Sequence, residues 1–237
     1  MPSTSFDFNS ASDPRTPQAV LWDMDGTLID TEPYWIVAES ELVVAHGGTW
    51  TEEQGLSLVG SALPNSARIL QEAGVKLSAR EIIDLLSAQV VAGIRKEIPW
   101  RPGARELLAA CHEANIPQAL VTMSERSIVN ELLDQLPEGT FQASVTGEEV
   151  GHGKPHPEPY LTGLQLLQDE VGHELIAEKC IGFEDSVPGI ASASAAGLHA
   201  VLVPNATDPG DGKWRRIESL DGVDVKEMTR WLVQVSA

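Results

Sequence analysis

Positive charge is scarce in this sequence: 16 Lys and Arg stand against 35 Asp and Glu, for a formal net charge of −19. A surface of that sign repels nucleic acid phosphates and anionic membranes, so neither is an expected partner. It also repels a free phosphate ester at long range. A site for one must therefore be locally positive, through a metal, a lysine or backbone amides. Cysteine is nearly absent, with only Cys111 and Cys180. A disulfide scaffold needs more cysteines in a chain this long, and two buried thiols in a reducing cytoplasm is the simpler reading. No apolar run approaches the roughly 18 residues of a membrane span. Residues 1–16, rich in Ser, Asp, Asn and Pro, lack the basic start and apolar middle of a signal peptide and are read as a loose tail. A cytoplasmic protein, monomeric by default, is the expectation.

Apolar residues make up 42% of the 237 positions, enough to bury one large domain or a domain with a smaller insert. Ala19 to Trp22 is an apolar run ending in the polar turn Asp23-Met24-Asp25-Gly26-Thr27 and reads as a buried strand. From about Pro33 to Glu97 no strand is expected and four helices are. Trp35, Ala38, Leu42 and Ala45 share the face of the first, which Gly47-Gly48 stops. Thr51 with Gln54 and Ser78 with Glu81 form capping boxes for the second and fourth, and Asn65 caps the third. Ile82, Leu86, Val90 and Ile94 run along the fourth at spacing four.

Alternation resumes at Trp100. Helices begin near Pro102 and Ile128 and carry Tyr160, Leu164 and Leu167 further on; strands cover Gln118–Val121, Ala143–Val145, Cys180–Phe183 and Ala200–Val203. A small-residue helix spans Pro188 to Ala196, and a last helix lies near Lys226 to Val235. This pattern implies an α/β fold: a Rossmann-like parallel sheet, residues 17–32 and 99–237, covered on both faces, with an inserted α-helical domain at 33–98.

In an open parallel sheet, ligands bind beyond the carboxyl ends of the strands. Asp23 and Asp25 follow the first strand, Thr122 the second, a turn leading to Lys154 the third, and Glu184 and Asp185 the fourth. Crowded carboxylates repel one another unless protonated or neutralised. A hard cation with oxygen ligands neutralises them, and Mg²⁺ suits a site that also takes a phosphate. The set points to phosphoryl transfer, in which a carboxylate can itself be the nucleophile.

Taken together, Asp23-Met24-Asp25-Gly26-Thr27, Thr122 after a strand, Gly153-Lys154-Pro155, and Gly182-Phe183-Glu184-Asp185-Ser186 resemble the four motifs of the haloacid dehalogenase superfamily, in order and in strand context. Leu28-Ile29-Asp30-Thr31-Glu32 and Lys154-Pro155-His156-Pro157-Glu158 resemble its branch of sugar-phosphate phosphatases and β-phosphoglucomutases. The resemblance spans about residues 18–204. It implies that Asp23 attacks phosphorus and binds Mg²⁺. Asp25 would protonate the leaving oxygen and then activate water, its backbone carbonyl touching the metal. Thr122 and Lys154 would hold phosphate oxygens, Asp185 would bind the metal with Glu184 beside it, directly or through water, and the helical insert would close as a mobile cap. The implied function is a Mg²⁺-dependent phosphatase of small phosphate monoesters (sugar, polyol or glycolate phosphates). The implied partner is a small phosphorylated metabolite.

The alternative is a β-phosphoglucomutase-like phosphomutase. Such mutases grip a second phosphate with a basic cap residue, and the matching loop, Gly60-Ser61-Ala62-Leu63-Pro64-Asn65, has none, although Arg68 lies near. Ser61 and Asn65 are the candidate substrate contacts of the cap. Asp25 speaks against a dehalogenase, which does not need it, and no motif residue is missing as in a noncatalytic relative. His152 and His156 lie four apart, but Gly153 and Pro155 break any helix there, so no transition-metal site is expected. Trp35, Trp50 and Trp100 are read as packing residues.

Overall fold

The computed structural model describes residues 16–58, 61–205, 209–210 and 212–234. The tail expected over 1–16 lies, but for its last residue, outside them. Six strands form one parallel sheet: β1 (Ala19–Trp22), β2 (Gln118–Val121), β3 (Ala143–Val145), β4 (Cys180–Glu184), β5 (His199–Leu202) and β6 (Arg215–Arg216). Their spatial order is β3-β2-β1-β4-β5-β6. The chain thus builds outward from β1 on one side, returns, and builds outward on the other. β1 and β4 flank the point of reversal, where the connections after the two strands diverge and leave a crevice. β6 is not an expected strand, because two basic residues on a sheet edge carry no apolar pattern.

Alternating side chains of each strand enter two cores. Val20, Trp22, Leu120, Ile181 and Phe183 face α5 (Ala104–Glu113), α6 (Arg126–Leu133) and α9 (Val225–Gln234). Ala19, Leu21, Ala119, Val121 and Leu202 face α7 (Glu158–Val171) and α8 (Val187–Ala195). Trp22 stacks on Phe183 with centroids 4.5 Å apart, a contact worth about 0.5–1.5 kcal/mol beyond its buried area. Its indole N–H donates to Gln118 Oε1 at 3.0 Å, so the largest side chain of the central strand leaves no polar atom unpaired.

Between β1 and β2 lie α1 (Glu32–Ala45), α2 (Glu52–Leu56), α3 (Leu63–Glu72) and α4 (Ala79–Lys96). Both expected capping boxes form, Thr51 with Gln54 and Ser78 with Glu81. Asn65 is not a cap: α3 starts earlier, at Leu63, with Pro64 in its first turn and Ala62 before it. These helices have a third core of their own, including Ala38, Leu42, Leu70, Ile82 and Leu86. The α4 stripe is divided, since Val90 and Ile94 pack in the core under the sheet. One helix thus ties the insert to the sheet layer. Ion pairs of Arg80 with Glu125 (2.7 Å) and Arg95 with Glu131 (2.6 Å) run from α4 to α6 and the residue before it.

The buried face of α1 is Ala38, Glu39, Leu42 and Val43, with Ala45 exposed. Glu39 is a carboxylate 4% exposed, and its Oε2 has no hydrogen-bond partner among the described residues. Burial, then the Glu32 charge, pushes it up to about 7. A folded-state value raised above the ordinary 4.5 means that the native protein holds the proton more tightly than the unfolded chain. The stability tied to that proton is full below about pH 4.5 and is lost as pH rises through about 7. Glu39→Gln should therefore be more stable than the parent at pH 8, by on the order of 1–2 kcal/mol, with the gap closing at pH 5. Urea melts at the two values check this; the same gap at both would contradict it.

Candidate active site

The register of the sheet assembles the site. Trp22 pairs with Phe183, so Asp23 and Glu184 leave neighbouring strands side by side, and the Asp23 N–H donates to Phe183 O at 3.0 Å. On the other flank Trp22 pairs with Leu120, which brings Thr122 to the same edge. The loop between β3 and α7 returns Lys154 to this edge with its side chain only 5% exposed.

Nζ of Lys154 lies 2.7 Å from Asp23 Oδ1, 2.6 Å from Glu184 Oε1 and 2.9 Å from Val121 O. An ammonium has three donors, and here each has an acceptor. Burial alone would lower the Lys154 pKa, but the Asp23 and Glu184 charges outweigh it, and the group stays cationic. Glu184, with no exposed surface, also accepts from Tyr160 Oη at 2.6 Å. Burial and the Asp23 charge push it up to about 7 against the pull of Lys154. Burial, with Asp23 and Glu184 nearby, holds Asp185 well above the ordinary carboxylate range.

Asp25 is set apart from this group. Its Oδ1 accepts from Thr31 Oγ1 at 2.6 Å, and its Oδ2 accepts from Ser124 Oγ at 2.7 Å and Thr122 Oγ1 at 3.1 Å. Thr122 Oγ1 in turn accepts the Ser124 N–H at 3.0 Å. Burial raises the Asp25 pKa, helped by Asp23 and opposed by the three hydroxyls, with a net rise. Two carboxylates two residues apart thus differ in kind: Asp23 is paired with an ammonium, and Asp25 is half-buried among neutral hydroxyls.

Carboxylate oxygens of Asp23, Glu184 and Asp185 lie within 4.8 Å of one another, and Asp23 Oδ2 is buried with no partner among the described residues. An orphaned oxygen among three carboxylates, with one ammonium to offset them, fits a hard divalent cation with oxygen ligands. Two glycines make the approach possible. A Cβ on Gly26 would stand 2.1 Å from Asp185 Oδ2, and one on Gly189 would stand 1.8 Å from Glu184 Oε2.

Asp23, Asp25, Thr122, Lys154, Glu184 and Asp185, each expected from its place after a strand, therefore meet at one edge. Ser61 and Asn65 do not join them: Asn65 Nδ2 donates to Ser61 Oγ at 2.8 Å, and among the described residues no hydrogen bond links either to the carboxylates. Residue 60 of that loop lies outside the described residues. Thr31, Ser124 and Tyr160 went unforeseen. Ser124 had a faint signal, a second hydroxyl two residues after Thr122 in the same post-strand turn.

A family model for haloacid dehalogenase-like hydrolases matches residues 17–197. The chain belongs to this family. Among similar proteins, a probable pseudouridine-5'-phosphatase of Saccharomyces cerevisiae is 31% identical, over 81% of this chain and 84% of that protein. Hexitol phosphatase B of Escherichia coli is 28% identical, over 81% and 86%. The solved structure of CbbY from Rhodobacter sphaeroides in complex with phosphate superposes with a TM-score of 0.75 at 24% identity, over 86% of this chain and 95% of that one, a likeness of fold. Among the described residues no helix is long and apolar enough to cross a membrane.

Gly26 has φ +87°, a conformation that costs a side-chain-bearing residue about 1–2 kcal/mol. Gly26→Ala should lower stability by about that much and push the Asp185 carboxylate aside, weakening divalent-cation affinity at least about tenfold. Calorimetric titration with Mg²⁺ checks this; unchanged affinity would show that Asp185 is not held against the turn.

Proposed function

We propose that this chain is a Mg²⁺-dependent phosphatase that hydrolyses small phosphate monoesters (sugar, polyol or glycolate phosphates) through an aspartyl-phosphate on Asp23. The observation that carries this reading is the division of labour between Asp23, fixed by Lys154 with one oxygen unpartnered among the described residues, and Asp25, half-buried among hydroxyls with its pKa raised. The names of the similar yeast and bacterial phosphatases support the substrate class.

Asp23 attacks phosphorus, the bond from phosphorus to the ester oxygen breaks, and the leaving oxygen takes the proton of Asp25. Asp25, now a carboxylate, takes a proton from water as that water attacks the aspartyl-phosphate, which frees phosphate and restores Asp23. Lys154 and Thr122 hold phosphate oxygens, and for this Lys154 must give up one of its three present acceptors. Mg²⁺, held by Asp23, Asp185 and the Asp25 carbonyl, with Glu184 directly or through water, would neutralise the charge that gathers on the transferring group. The helices at 33–98 act as a cap that closes over the ester and excludes bulk water.

Once the cap closes and the bond between them opens, Ser61 and Asn65 offer neutral hydrogen-bonding groups to the substrate, which suits a hydroxylated monophosphate better than a bisphosphate. Arg68, the nearby cation, is engaged by Glu72 and by Asn65 Oδ1 at 3.0 Å, so a mutase's grip on a second phosphate would require breaking these contacts. Burial pushes the free thiols Cys111 and Cys180 up to about 12, unreactive groups that suit the cytoplasm.

Phosphate release from a panel of small esters, with and without Mg²⁺, tests the proposal. Release should require the metal and vanish in Asp23→Asn, while release that survives this change would refute the nucleophile. Asp25→Ala should slow poor leaving groups by about 10²–10⁴-fold and good ones far less; equal losses would remove its acid role. Ser124→Ala deletes a hydrogen bond that lowers the Asp25 pKa, so the alkaline limb of the pH–kcat profile should move to higher pH. A limb that stays in place would separate it from Asp25.

A further inference from the structure

The Lys154 loop has an outer face that the chemistry above does not use. His152 and His156 cannot share a helix, yet a turn closed by the His156 N–H donating to Gly153 O at 3.0 Å brings their rings together, centroids 4.7 Å apart and planes tilted by 33°. Glu158, at the start of α7, completes a cluster whose ligand atoms lie within 4.8 Å of one another. His152 Nδ1 stands 2.9 Å from Glu158 Oε2, and His156 Nδ1 stands 3.8 Å from it. Two ligand atoms on one tetrahedrally ligated zinc ion stand about 3.3 Å apart, between these two distances.

The carboxylate is positioned by the backbone. Its Oε1 accepts the Gly151 N–H at 2.7 Å and its Oε2 accepts the His152 N–H at 3.0 Å. His156 Nδ1 accepts the Glu158 N–H at 3.2 Å, so this nitrogen carries no proton, and a metal bound there takes over the lone pair from that long hydrogen bond. The side chains of His152 and His156 are 71% and 52% exposed, leaving room for a water as fourth ligand.

We propose that His152, His156 and Glu158 form a site for a borderline divalent ion of the Zn²⁺ class, separate from the oxygen-only carboxylate cluster. Imidazole nitrogens favour such an ion over Mg²⁺, which seeks oxygen. Bound there, it replaces the proton shared by His152 Nδ1 and Glu158 and bridges both ends of the loop to α7. Lys154 sits midway between the two histidines and points the opposite way, into the carboxylates. The ion acts as a clamp on the segment that presents this ammonium.

The test is Zn²⁺ titrated into the full chain in excess Mg²⁺, followed by calorimetry, by NMR of the imidazole nitrogens and by thermal melting. One equivalent should shift the signals of His152 and His156 among the six histidines and raise the melting temperature. His152→Ala and His156→Ala, both exposed positions, should each weaken binding more than about tenfold and abolish the thermal shift. Absent shifts at the two histidines, or undiminished binding in both variants, which would place Zn²⁺ on the Asp23 and Asp185 carboxylates, would overturn the proposal. None of these readouts depends on turnover, so the outcome is independent of the phosphatase reading.

Discussion

The ammonium of Lys154 is the charge on which the arrangement of this site depends. Three carboxylates stand at the end of a buried parallel sheet, in a chain whose net charge of −19 offers them no general relief. Without a cation among them, two would have to be protonated or turned to solvent. Lys154 answers this by spending all three of its donors, on Asp23, Glu184 and Val121 O. Removing one member of a buried pair leaves the other uncompensated, at a cost of about 3–5 kcal/mol. The site's geometry and much of its local stability therefore rest on the same bonds.

That constraint explains the choice of neighbours. Tyr160 satisfies Glu184 from α7, the same helix whose start receives the Lys154 loop. Gly189 yields the space that Glu184 needs beneath α8, and Gly26 yields it for Asp185. The hydroxyls of Thr31, Thr122 and Ser124 take Asp25 out of the ionic cluster and give it a different electrostatic character. Small residues and hydroxyls here sort five ionisable groups into distinct roles.

The strands and the residues following them were legible because a buried parallel strand is a short apolar run with a polar stop, and the site lies at those stops. Asp23, Lys154 and Asp185 could be read this way one by one. Their supporters could not, since Thr31, Ser124 and Tyr160 find their partners through loop closure and helix docking, which no local pattern encodes. Periodicity placed Ile82, Leu86, Val90 and Ile94 on one face of α4 but could not say that two cores divide that face. It also missed Glu39, because amphipathic reasoning assigns a carboxylate to solvent. The pairing of His152 with His156 escaped a rule framed for helices: a turn brings together what broken helical geometry would separate.

The central claim is that Asp23 itself carries the phosphoryl group. Mass spectrometry of enzyme quenched in acid during turnover of a good ester tests it most directly. The account predicts a phosphoryl increment on the peptide bearing Asp23, absent in Asp23→Asn. Phosphate released with no covalent adduct, or an adduct on another residue, would contradict it.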